Sequence, residues 1–426
     1  MKFGLIVYGS NGDVEMFVSL ALGLINKGHE VELFIITINN RDYTFLNKNN
    51  NLKVYQKQYH AEIRNKQKEN LEFWNEAPEN QFYLMDSWYK TVLGDIVGFS
   101  YQFCQNCDIV VGPQHILELS CIAEKFNTPY VSVRAYAAYI RTRFEKPYWL
   151  SFYNSENIDE LWDMFESYEN KSYKRYINKF RKLHGLDKIN NVVREVIDSK
   201  FLNVIGYSRH LHKPQPDWGT NFKLCGYFKP FNHYINWQVP AKLAEFMAGT
   251  EKPVFMTVGT MLEYENNPVN IHRVLLETAY QLDRKVIIHS KWDNEEPVDR
   301  NVFKLSGFID YSKILGMCSL AVHHGGVGTV HIATEAACPS IIIEYGCEQP
   351  FNAHILRENG LSKGSIHRKE LTTEKLTTLV KEALETPSLM ANAKLFSKRL
   401  SEENGVSIAI ETIEEKYNSY IKKNYS

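Results

Sequence analysis

The residues with the most evident chemistry lie between 320 and 349. His323 and His324 run into Gly325-Gly326-Val327-Gly328-Thr329, and an acid–amide pair, Glu348-Gln349, follows further on. The apolar run Leu320 to Val322 reads as a strand feeding the glycine turn, with a helix expected from about Thr329. Glycines let a backbone approach an anion closely. The first N–H groups of a helix have no partner inside it, and the helix dipole adds a partial positive charge at the same end. Such a turn is a phosphate cradle, and His324 at its mouth can donate to a phosphate oxygen. A second apolar run, Ile341-Ile342-Ile343, leads into the loop that carries Glu348 and Gln349. A carboxylate beside an amide can hold several hydroxyls of one sugar. A glycine-rich turn can also be no more than a tight connection. The doubled His, the spaced glycines, Pro339 and the acid–amide pair together are much harder to explain by packing.

A second cluster is Gly9-Ser10-Asn11-Gly12-Asp13, between a strand reading (Phe3 to Tyr8) and a helix reading from Val14. The apolar positions Val14, Phe17, Val18, Ala21, Leu22 and Ile25 recur at helical spacing, Gly28 suits the C-cap, and Val31 to Ile36 reads as the next strand. A dinucleotide fingerprint needs Gly-x-Gly-x-x-Gly and an acid after the second strand. This chain has Gly-x-x-Gly, with Thr37-Ile38-Asn39 at the strand end, which argues against a nicotinamide enzyme. Asp13 itself has two readings, a helix N-cap or a carboxylate base for a substrate proton.

The two clusters resemble the signatures of family 1 glycosyltransferases of the GT-B fold, in particular the bacterial antibiotic and sterol glycosyltransferase branch. That branch writes His-His-Gly-Gly-x-Gly-Thr and ends in Asp-Gln-Pro-Phe; here the ending is Glu348-Gln349-Pro350-Phe351. Its N-terminal signature is Gly-Ser/Thr-Arg-Gly-Asp-Val-Glu, with Asn11 and then Met16 departing here, as Glu344 and Tyr345 do in the second cluster. The resemblance implies an α/β chain of two Rossmann-like parallel-sheet domains facing across a cleft. It implies Asp13 as the catalytic base (a His in plant relatives), with His324 and the backbone of Gly325, Gly326, Val327, Gly328 and Thr329 on the donor diphosphate. It implies further donor contacts from Thr260, where the family has a hydroxyl residue, from Phe308 and Ile309 at the base, and from Glu348 and Gln349 at the sugar. Ser10 and Asn11 would lie on the acceptor side.

These readings join into one mechanism. Transfer of a sugar to an alcohol needs a base for the acceptor proton and a partner for the departing diphosphate. Asp13 supplies the first; the N–H groups, the helix dipole and His324 supply the second without a metal ion or other cofactor. One base and direct displacement predict inversion at the anomeric carbon. The expected function is therefore sugar transfer from a UDP- or dTDP-sugar co-substrate to a small apolar or aromatic acceptor. The rival readings are a catalytically silent nucleotide-binding partner protein and a GT-B-fold epimerase or hydrolase of nucleotide sugars.

The elements that must position these groups alternate. Further strands are expected at Asp108 to Gly112, Tyr130 to Val133 and Leu202 to Tyr207, with helices between, as in a parallel sheet covered by helices. Residues 1–212 read as the N-terminal, acceptor-binding domain. The Pro-rich stretch 213–235 reads as a linker, 236–400 as the nucleotide-sugar domain, and 401–426 as a helix that the resemblance returns to the first domain. The aromatic segment from Tyr136 through Tyr139 to Tyr148 and Trp149 lacks clear periodicity, and reads as a loop lining an apolar or aromatic acceptor site.

At 426 residues the chain has room for two cores, and its 44% hydrophobic and 23% charged content is that of a globular protein. A net charge of −1 leaves no electrostatic footprint for nucleic acid. No run is long and apolar enough for a transmembrane helix, and the start reads as a strand rather than a signal peptide. Seven cysteines do not make a disulfide scaffold in a chain of this size. Cys104-x-x-Cys107 has no second pair for zinc, so a reduced cytoplasm is expected. No Asp-x-Asp occurs.

Overall fold

The computed structural model describes residues 1–37, 41–59, 80–150, 155–231, 237–259, 261, 268–291, 296–298 and 300–425. Thr260 lies outside them. The chain divides into two compact units: residues 1–209, 213–231 and 404–426 form the first, and 210–212 with 232–403 form the second.

The first unit is a seven-stranded parallel sheet. Its strands are β1 (Lys2–Gly9), β2 (Glu30–Thr37), β3 (Leu52–Gln58), β4 (Ile109–Pro113), β5 (Tyr130–Arg134), β6 (Leu202–Ile205) and β7 (Phe222–Leu224). Their spatial order is β3-β2-β1-β4-β5-β6-β7. The central strands are near-continuous apolar runs, as expected where both faces of a sheet are covered. One face packs Phe3, Leu5 and Val7 with the helix α1 (Asn11–Asn26). The other packs Ile6, Tyr8 and Phe34 with α2 (Asn80–Asn106) and α3 (Leu117–Phe126). A long helix, α4 (Ile158–Leu183), begins at Asn157, whose side chain accepts from the Glu160 N–H. Strand β7 falls inside the stretch expected as a linker: residues 213–231 belong to the first unit and supply its edge strand.

The second unit repeats the plan. Its helices are α5 (Ala241–Met247), α6 (Pro268–Gln281), α7 (Tyr311–Leu315), α8 (Val327–Glu335), α9 (Gln349–Glu358), α10 (Thr373–Leu384) and α11 (Pro387–Ser401). Its strands are β8 (Val254–Met256), β9 (Val286–His289), β10 (Glu296–Pro297), β11 (Val302–Leu305), β12 (Leu320–His323), β13 (Ser340–Glu344) and β14 (Ser365–His367). The order is β10-β11-β9-β8-β12-β13-β14, parallel apart from the short β10–β11 pair. In such sheets ligands bind outside the carboxyl ends of the strands. Here that edge carries the segments after Met256, Leu305, His323 and Glu344.

The last helix, α12 (Gly405–Tyr425), belongs to the first unit and packs on α1. Ala409, Ile410 and Ile413 enter the apolar cluster of β1 and α1. Gly23 of α1 makes room, since a Cβ there would meet Val406 Cγ1 at 2.5 Å. His29 Nε2 lies 2.7 Å from Glu414 Oε1 across the same seam. No helix among the described residues is long and apolar enough to cross a membrane.

Candidate functional site

In the second unit the turn after β12 is built so that only glycine fits. Gly325 has φ +82°, and a Cβ on it would meet Ile342 Cγ2 at 2.7 Å. Asn352, fully buried on α9, donates from Nδ2 to the Gly325 carbonyl at 2.7 Å and fastens this turn to the neighbouring loop. The Gly325 N–H donates to His323 Nδ1 at 3.0 Å, so the ring proton of His323 is on Nε2, which donates to Ser340 Oγ at 3.0 Å. Burial pushes His323 down to about 3, with its neighbour His324 acting in the same direction. His323 is thus a neutral bracket for the turn. Gly325→Ala is expected to destabilise the protein by roughly 1–3 kcal/mol, through both the backbone strain and the overlap. Gly12→Ala is the control: its nearest neighbour would be Ser10 Oγ at 3.8 Å, so urea midpoints should separate the two variants clearly.

His324 is held differently. A Cβ on Gly259 would lie 3.0 Å from its Cε1, and one on Gly326 would lie 2.5 Å from its Nε2. The ring is therefore flanked by two positions where only hydrogen leaves it space. Burial pushes its pKa down to about 4, and its Nδ1 is buried with no hydrogen-bond partner among the described residues. Gly326 is the N-cap of α8, which starts at Val327, slightly earlier than expected. The first helical bond runs from the Val330 N–H to the Gly326 carbonyl at 3.0 Å. The N–H groups of Val327, Gly328 and Thr329 thus have no partner within the helix. The ring thus turns Nε2 toward Gly326, the start of α8, and the unpartnered Nδ1 toward Gly259; an imidazole and free helical N–H groups so close together suit an anionic ligand.

The loop before α9 is more committed. Gln349 is buried, and its Oε1 accepts from the Tyr345 N–H at 2.6 Å and the Gly346 N–H at 3.4 Å, while Nε2 faces Met261 Sδ at 3.6 Å. Its carbonyl braces the loop. Glu348, the half-buried N-cap of α9, is the more open of the pair. Phe308 is exposed, whereas the Ile309 side chain is buried against Phe255 and Ile314. Of those two, only Phe308 offers a side-chain surface.

In the first unit Ser10 is the N-cap of α1 and Asp13 is its third helical residue. Asp13 is therefore not the N-cap. Its Oδ2 accepts from the Ser10 N–H at 2.8 Å and the Ser10 hydroxyl at 2.9 Å, the carboxylate half of a capping box. Asn11 and Gly12 form the first helical turn. The Asp13 carboxylate is close enough to favour the proton on His115, which follows β4, although burial is the larger influence and lowers that pKa.

Of the aromatic segment expected to line the acceptor site, Tyr148 and Trp149 are buried, whereas Tyr136 and Tyr139 are half-buried. Trp149 and Leu150 pack with Trp162 and Phe165 in a buried cluster, Tyr148 is buried beside them, and Tyr139 stacks on Phe165 with ring centroids 5.4 Å apart. Tyr136 in turn meets Tyr139 edge-on at 5.4 Å. Among the described residues of this unit, Tyr8, Tyr89, His115, Glu118, Tyr173 and Tyr176 line a pocket. Composition does not single these out. The available signal was a His just beyond a strand's carboxyl end, followed by an acid in a helix's first turn. The Cys104 and Cys107 thiols are each pushed up to about 12, first of all by burial, and all seven cysteines are free.

Two Rossmann-like parallel-sheet units, one with a glycine cradle at the carboxyl edge of its strands, define the GT-B class. Solved structures agree at the level of fold. The glycotransferase of kitacinnamycin has a TM-score of 0.65 at 14% identity, covering 97% of this chain and 98% of that one. The glycosyltransferase VinC in complex with DTDP has a TM-score of 0.65 at 15% identity, with 98% and 100% covered. Residues 273–414 match the family model of the erythromycin biosynthesis protein CIII-like C-terminal domain. A sterol 3-beta-glucosyltransferase of Debaryomyces hansenii is 26% identical over 439 residues, spanning 97% of this chain and 26% of the relative. One of Komagataella phaffii is 24% identical over 451 residues, with 99% and 35% covered. The chain thus spans about a quarter to a third of the length of these curated relatives. Together the matches show a GT-B fold and a likeness to glycosyltransferases.

Proposed function

We propose that this protein transfers a sugar from a nucleotide-diphosphate sugar, UDP- or dTDP-linked, to a hydroxyl of a small apolar or aromatic acceptor of the sterol or natural-product kind. The observation that carries this reading is the His324 ring lodged between Gly259 and Gly326, with Nε2 on the side of the first N–H groups of α8 and Nδ1 unpartnered toward Gly259. The arrangement suits the diphosphate oxygens, where negative charge grows as the sugar departs. The partly exposed Glu348 would take sugar hydroxyls, with Gln349 holding the loop in shape. Asp13 would take the acceptor proton: Ser10 occupies its Oδ2, and Oδ1 is the oxygen for the proton. A single base and direct displacement give inversion.

The test is product formation. The purified protein, given UDP-glucose or a dTDP-sugar and a panel of hydroxylated ring compounds, should add one sugar mass to an acceptor. EDTA should leave the rate unchanged, because protein dipoles meet the charge that a divalent ion would otherwise meet. A rate lost on chelation and restored by Mg²⁺ or Mn²⁺ would sink the metal-free part. Hydrolysis or epimerisation of the donor with no acceptor product would sink transfer itself.

A further inference from the structure

The pocket described above in the first unit holds several polar groups. Glu118, in the first turn of α3, is fully buried. It accepts the Tyr89 hydroxyl on Oε2 and the Tyr176 hydroxyl on Oε1, each at 2.5 Å. The protons of both phenols are thereby committed to one carboxylate, and these tyrosines present ring surface to the cavity. Tyr8 adds another ring, edge-on to Tyr89 at 5.8 Å and to His115 at 6.0 Å. Tyr173 completes the aromatic wall. His115 Nε2 is buried and has no hydrogen-bond partner among the described residues, while the Tyr8 carbonyl engages the ring's proton.

Topology places the segment that carries His115. Strands β1 and β4 are paired and parallel, Leu5 beside Val111. The segment after β4, with His115, therefore lies at the same sheet edge as the β1–α1 loop with Asp13.

We infer that this pocket takes the body of a rigid, ring-bearing alcohol and that His115 Nε2 accepts the hydrogen bond of its hydroxyl. The inference rests on the acceptor side of the function proposed above and names the substrate class and a residue that touches it. An apolar ring system gains from tyrosine faces whose own donors are engaged elsewhere. A buried nitrogen whose lone pair accepts no hydrogen bond is poorly solvated, and gains most from a ligand that brings an O–H. The hydroxyl so held lies on the Asp13 side of the pocket. A ring compound lacking the hydroxyl leaves the nitrogen unfilled, and this makes the pocket selective.

The experiment compares 2-naphthol with naphthalene by calorimetric titration of the full chain. The wild type should bind 2-naphthol on the order of tenfold more tightly, the worth of one hydrogen bond. His115→Phe should abolish that difference while leaving naphthalene and UDP affinities unchanged. Tyr173→Ala should weaken both ring ligands alike and so tests the wall independently, whatever the folding of the first variant. A hydroxyl preference that survives His115→Phe, or an absence of binding by both compounds to the wild type, would overturn the inference. The transfer assay separates this from the wider reading. Preference without sugar transfer leaves the pocket standing and defeats the enzyme; transfer with no His115-dependent preference does the reverse.

Discussion

Asp13→Asn is expected to lower sugar transfer by roughly 10²- to 10⁴-fold, the usual cost of removing a general base, with little change in stability. Asn retains a side-chain oxygen that can accept from the Ser10 N–H, now made to Asp13 Oδ2 at 2.8 Å. The lost negative charge near the start of α1 costs about 0.3–1 kcal/mol. Donor affinity should be unaffected, since the cradle belongs to the other unit. The measurement is product formed at saturating donor and acceptor, alongside melting temperature and nucleotide affinity. Transfer that persists at the wild-type rate would make Asp13 a capping residue only. Its capping-box geometry makes that a real contest: the same carboxylate is well placed for either task.

His324→Ala should lower turnover by about 10²- to 10³-fold, in the range seen for loss of one donor to a developing anion. The imidazole is held neutral, its pKa pushed down to about 4 by burial, and a neutral ring still carries one N–H to give. Nucleotide diphosphate affinity should fall less than turnover, because the N–H groups of α8 remain. Calorimetry with UDP or dTDP beside steady-state kinetics separates the two effects. Equal losses in both would assign His324 to ground-state binding, and no loss in either would make it structural.

The cradle was legible in the sequence because its constraints are local. A residue with φ +82° and no room for a Cβ must be glycine, and Gly325 says so by its type. The strand before it and the helix after it are equally local patterns. What was not legible depends on distant partners. Trp149 has the composition of a binding wall, yet Trp162 and Phe165, from a helix later in the chain, pack with it in a buried cluster. Phe308 and Ile309 are adjacent and both apolar, and only the cluster around Phe255 decides that Ile309 faces inward. Gln349 reads in the sequence as a sugar ligand, and only the folded loop brings the Tyr345 N–H onto its carbonyl. His115 matters through Tyr8, Tyr89 and Asp13, none of them near it in sequence. Strand β7 was missed because three residues in a Pro-rich stretch carry no period.

The placement of α12 bears on how the chain acquires its structure. The first unit is written in the sequence around the second, its final segment (404–426) being separated from the rest by the whole of 232–403. During synthesis the second unit can close as soon as it emerges, whereas the first must wait. Until α12 arrives, the groove that Gly23 leaves for Val406 and Ile410 stays open, and apolar surface of α1 stays wet. The contacts of α12 with α1 and β6 are among the most distant in the chain, and distant contacts are slow to form. The first unit is thus the later of the two to mature, and the one that a nascent-chain chaperone would have longest to hold.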